Sequence, residues 1–114
     1  MILVNKAAIS KESVDTWFTK WETLREQIHV AHDARDGSAK LLMEQGIALF
    51  ETFLVESAVN DVPGEDYELF PVNGKERFDF IKMKPGQYAC YRQLDELFKE
   101  TKKRCARLRL KTNE

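Results

Sequence analysis

Nowhere in this sequence does an apolar run approach the ~20 residues a helix needs to cross a bilayer, so no membrane span is expected. The opening Met1-Ile2-Leu3-Val4-Asn5-Lys6 is too short for the apolar core of a secretion signal, and no basic flank precedes it. The expected location is therefore the cytoplasm. Cysteine is scarce as well, with Cys90 and Cys105 alone. Both fall in one expected helix, where a rise of 1.5 Å per residue sets them about 22 Å apart, far beyond the ~7 Å reach of a disulfide. Two free thiols are expected, at least one of them buried.

Histidine is equally rare. His29 and His32 are the only two, and Glu26 makes a Glu-x-x-His with His29. A di-iron carboxylate bundle needs a second such motif, and no histidine is left to supply it. A zinc reading through His29, His32 and Asp33 or Asp36 needs a further ligand in the right place. A helix C-terminus, whose dipole favours partly charged imidazole, accounts for both residues. A metal-binding or hydrolytic bundle is thus the last of three readings. Gly-x-Ser-x-Gly is absent, neither cysteine has a histidine near it in sequence, and Gly64 and Gly74 stand alone rather than in a phosphate-cradling loop. Carboxylate pairs such as Asp95-Glu96 read as solvated helix-surface residues. No catalytic residue and no cofactor is assigned, and the chain reads as non-enzymatic.

What is present suits one globular domain over residues 1–114. The chain is 43% hydrophobic and 32% charged, far from the disordered class, and seven Phe, three Tyr and two Trp supply bulk for a core. The net charge of −1 hides an asymmetry: residues 1–66 carry six Lys/Arg against twelve Asp/Glu, and residues 67–114 carry twelve against seven. Either the two halves pack together and their fields cancel, or the molecule keeps an acidic and a basic face that steer a charged partner.

The apolar periodicity predicts an all-α bundle of three long helices and one short one. Residues 1–9 form an arm that docks or frays. Ser10 caps a first helix over 11–32, whose stripe is Val14, Trp17, Phe18, Trp21, Leu24, Ile28 and Ala31. Gly37 stops that helix and Ser38 caps a second over 39–59. Apolar residues cover most of its circumference, so it is expected to be the central, most buried helix, with Gly46 explained by close approach of a neighbour. Residues 60–66 are a loop around Pro63-Gly64, and residues 67–70 pack on the bundle. Asn73 and Glu76 have the spacing of a capping box for a short helix over 74–83. Pro85 sits in the first turn of the last helix, 86–110, and residues 111–114 fray.

That last helix carries Lys99, Lys102, Lys103, Arg104 and Arg107 close together, candidate contacts for a phosphate backbone. Clustered cations at a helix C-terminus also complement the dipole or pair with the acidic half. No zinc finger or aromatic RNA-binding motif accompanies them. Trp17 and Trp21 are candidate contacts for a protein partner, although aromatic residues at helical spacing are also what a core produces.

Between Phe70 and Phe98 two helix starts meet. Pro71-x-Asn73-x-x-Glu76-Arg77-Phe78-x-Phe80-Ile81, then Pro85-x-x-Tyr88, then Tyr91-x-Gln93-Leu94-x-Glu96-Leu97 resembles the YpoC-like family of Bacillus-type bacteria, and Trp17-Phe18-Thr19-Lys20-Trp21 is similar as well. The resemblance implies a small cytoplasmic helical protein and brings no catalytic residue with it. The stretch itself reads as a corner clasping the second helix. Its unexplained polar members, Arg77, Arg92 and Gln93, are the remaining candidate interaction residues. The first reading is a protein–protein interaction module, with a foreign protein or a second copy as partner. The second is nucleic-acid binding through the last helix.

Overall fold

Ser10 starts the first helix as its sequence context demands: its hydroxyl accepts the Ser13 amide at 3.2 Å. The computed structural model describes residues 1–60, 62 and 64–111. Helix α1 spans Lys11–Ala34, α2 Ala39–Ser57, α3 Gly74–Met83 and α4 Tyr88–Leu110. Among the described residues there is no strand, and the fold is all-α as the periodicity predicts. Asp61 and Pro63 of the expected loop, and residues 112–114 of the expected frayed tail, lie outside the described residues.

The helix ends differ from expectation in instructive ways. α1 runs on to Ala34 and stops where Arg35, not Gly37, takes the left-handed conformation (φ 52°), its amide bonding Ala31 O at 3.0 Å. Ser38 makes no side-chain cap for α2. Its hydroxyl donates to Asp36 at 2.6 Å, and that bond with the Ser38 amide holds the Asp36 carboxyl below the usual range. α3 has the expected bounds without the expected capping box. Asn73 is left-handed (φ 56°) rather than in the extended backbone conformation typical of an N-cap, and its side chain makes no cap hydrogen bond. Pro85 lies outside α4, at the second position of a turn from Lys84 to Gln87 closed by Gln87 N–H to Lys84 O at 3.1 Å.

The N-terminal arm docks. Ile2 pairs with Tyr67 and Val4 with Ala58 in isolated β-bridges, and residues 6–9 wind into a single 3₁₀ turn. The arm ends α2 early: Asn5 N–H bonds Ser57 O at 2.7 Å and Val59 N–H bonds Leu3 O at 3.0 Å, drawing the chain out of helix at Ala58 rather than beyond Val59. Ile2 and Ile9 bury their side chains, and Arg109 of α4 donates to Ile9 O at 2.8 Å. Main-chain hydrogen bonds thus hold a segment whose sequence carries no helical or strand period.

The central helix is α4, not α2, which corrects the expectation from composition. α2 buries one stripe, Ala39, Met43, Gly46, Phe50, Leu54 and Ser57, and leaves Leu41 and Val55 exposed. α4 buries more residues than any other helix, and α1, α2 and α3 all pack against it. Phe98 is the hub of the core. Its ring stacks on Trp21 (4.3 Å between centroids, 3° between planes) and Trp17 (4.8 Å), and meets Phe50 edge-on at 5.1 Å. Gly46 has the close neighbour its position predicts: a Cβ there would lie 2.8 Å from the Trp21 ring and 3.3 Å from Leu94. Gly74 is tighter still, its missing Cβ falling 2.7 Å from the Phe70 ring.

Candidate interaction surface between helices α1 and α4

Trp21 and Arg25 stand one turn apart on α1, and Asp95 and Lys99 one turn apart on α4. The two pairs face each other. Trp21 Nε1 donates to Asp95 Oδ1 at 3.0 Å, Arg25 Nη1 to the same oxygen at 3.2 Å, and Lys99 Nζ reaches Oδ2 at 3.0 Å. Burial pushes the Asp95 carboxyl up, but the bonds from Trp21, Lys99 and Arg25 together outweigh it and hold the group below the usual carboxylate range. Asp95 is thus a buried tie between helices and not the solvated surface residue expected. Beside it the Tyr91 hydroxyl donates to Arg25 O at 3.4 Å, and burial and the Asp95 charge keep that phenol protonated above its ordinary range.

Further along the same seam residues of α1 and α4 line a groove. Its floor is the half-buried Phe18 ring with Val14 and Ala106. Lys102 places its ammonium 4.4 Å above the Phe18 ring and 4.0 Å from Asp15. Lys11 holds the other Asp15 oxygen at 3.2 Å. Lys99, Lys103 and Arg109 complete the basic side, and Glu22 is the second acid of the rim.

The residues singled out from the sequence scatter across the fold. Trp17 and Trp21 are core residues, 5% and 0% exposed, whose helical spacing reflects burial, and Trp17 also lines a cleft between α1 and α2. Arg77 clamps α3 to α4 by a bidentate pair with Glu100 (3.0 and 2.7 Å), which holds the Glu100 carboxyl low and raises Arg77. Arg92 is exposed beside the Tyr88 hydroxyl, whose hydrogen bond raises the Arg92 pKa. Gln93 is exposed on the same turn. Of the five candidate phosphate contacts, Lys99 is tied to Asp95, Lys102 to Asp15, and Arg104 donates to Glu68 O. Lys103 and Arg107 are exposed and form no ion pair among the described residues. The basic half is therefore partly spent on the acidic half and partly on backbone carbonyls.

His29 is exposed, 3.5 Å from Asp33, while His32 turns inward against Tyr88 and Tyr91. Among the described residues no group of three or more His, Cys, Asp or Glu is placed to hold a metal ion. Cys90 and Cys105 are both free and buried; burial raises the first thiol and pushes the second up to about 12. No described helix is long and apolar enough to cross a membrane.

Neither the groove nor the buried role of Asp95 follows from helical periodicity. The available signal was the matched spacing of donors at Trp21 and Arg25 with acceptor and donor at Asp95 and Lys99.

A family described as YpoC-like protein matches residues 11–113 of the chain. The Bacillus subtilis (strain 168) protein named "Uncharacterized protein YpoC" is 51% identical over 39 residues, a stretch that covers 34% of this chain and 24% of that protein. No solved structure matches.

Proposed function

This chain belongs to the YpoC-like protein family, and we propose that it is a non-enzymatic protein–protein interaction module whose contact surface is the groove between α1 and α4. The observation that carries this reading is the half-buried Phe18 floor rimmed by charged side chains of both signs. An apolar centre inside a polar rim is the anatomy of a protein interface. Such a rim suits a mixed protein surface better than a uniform polyanion. With Lys99, Lys102 and Arg104 already engaged, only Lys103 and Arg107 of the five candidates remain for phosphates, and affinity for a nucleic-acid backbone grows with each contact. Two unpaired, buried thiols agree with a cytoplasmic site of action.

The test places a photo-crosslinking amino acid at Thr19, on the groove rim, and in a second variant at Lys75, exposed on α3 away from the groove lining. The expected result is a discrete protein adduct from position 19 and none from position 75. Adducts from position 75 alone, or adducts to nucleic acid alone, contradict the reading.

A further inference from the structure

The groove has a charge and a shape that narrow its occupant. Its five cations, Lys11, Lys99, Lys102, Lys103 and Arg109, stand against Asp15 and Glu22 on the rim and Asp95 behind Lys99, a net of +2. Asp15 is already shared by Lys11 and Lys102. Lys103 is exposed and without an ion pair among the described residues, next to the Ala106 edge of the floor. The favourable ligand is thus anionic at the α4 side and apolar at the centre.

We infer that the groove binds an acidic peptide segment carrying one large aliphatic side chain, which seats against Phe18 and Ala106 beside the Lys102 ammonium while a flanking carboxylate reaches Lys103. This rests on the interaction reading above and narrows it to the chemistry of the partner. A protein segment fits better than a nucleic acid because Glu22 and Asp15 repel a backbone of evenly spaced phosphates, whereas a peptide places its carboxylates irregularly and avoids them. Lys102 is held between Asp15 and the ring, so the apolar centre keeps its shape when the ligand is absent and little ordering cost falls on binding.

The experiment titrates the whole chain with a fluorescein-labelled Ala-rich peptide in which Glu residues flank a single Leu. Three further probes are the same peptide with Gln for Glu, the same peptide with Ala for Leu, and a duplex DNA of equal charge. The acidic peptide is expected to bind at low salt and weaken as salt rises. Each peptide change is expected to weaken it about tenfold or more, as is Lys103→Glu in the protein. A Lys-flanked peptide should recover binding to Lys103→Glu. Phe18→Leu, checked by thermal melting, is expected to reduce the benefit of the peptide's Leu without loss of fold. DNA binding that equals the peptide's and ignores Phe18→Leu overturns the inference. So does the absence of peptide binding at low salt. If Thr19 then still crosslinks a protein through a segment without acidic residues, the interaction reading stands and the acidic-ligand inference alone falls. If Thr19 captures no protein, both fall.

Discussion

The Trp21 indole N–H donates to Asp95 Oδ1 at 3.0 Å, joining the two aromatic-rich helices through a carboxylate that is only 9% exposed. The same residues settle the packing around them, since the Trp21 ring stacks on Phe98 on one side and presses the Gly46 backbone on the other.

This tie makes stability pH-dependent with a definite sign. The folded-state pKa of Asp95 lies below that of an unfolded aspartate, about 3.9. Its contribution is therefore complete above about pH 5 and is lost as the pH falls through the folded value. Glu100, held low by Arg77, acts in the same direction. Asp95→Ala is expected to cost about 2 kcal/mol at neutral pH, the worth of hydrogen bonds to a charged group less solvent screening. It should also flatten the acid limb. Urea unfolding of both proteins between pH 3 and pH 7 measures it; an acid limb of unchanged slope in the variant counts against the tie.

Gly46→Ala is expected to destabilise by about 2 kcal/mol, since the added methyl would stand 2.8 Å from the Trp21 ring in a packed core. Intrinsic helix propensity alone favours Ala here by about 1 kcal/mol, so the observed sign separates packing from propensity. Denaturant midpoints of the two proteins give the answer.

Thr101 presents the opposite case. Its hydroxyl is fully buried with no hydrogen-bond partner among the described residues. Thr101→Val keeps the shape and removes the orphaned polar group, so it is expected to stabilise by about 1 kcal/mol. A thermal melt that moves down instead shows that the hydroxyl has a partner.

The thiols are expected to be inert in the folded protein. Cys105 is pushed up to about 12 and Cys90 is raised, both by burial, so little thiolate is present near neutrality. Ellman's reagent should find no fast-reacting thiol under native conditions and both thiols in denaturant. Rapid native reaction of either cysteine contradicts the burial.

Much of the fold is legible in the sequence, and the reasons differ by element. The stripe of α1 and the bounds of α3 follow from periodicity because each helix buries a single face. α2 misleads because exposed Leu41 and Val55 are apolar by composition while only one stripe is buried. The arm is opaque because backbone hydrogen bonds to Ser57, Val59, Asp66 and Glu68 hold it, and such bonds leave no side-chain pattern. Trp17 and Trp21 were legible as core candidates, and the fold places them there. Asp95 was not, because a carboxylate next to Glu96 looks solvated until α1 brings Trp21 and Arg25 to it. Arg77 required Glu100, far along the chain, before its role could be read.

The claim that the α1–α4 groove is the contact surface is tested most directly by a lysine-acylation footprint of the chain alone and with its crosslinked partner reconstituted from purified protein. Lys102 and Lys103 are expected to lose reactivity on complex formation, while Lys40 and Lys75, on α2 and α3, keep theirs. Protection of Lys75 with Lys102 and Lys103 unchanged would contradict the account and move the interface to the far side of the bundle.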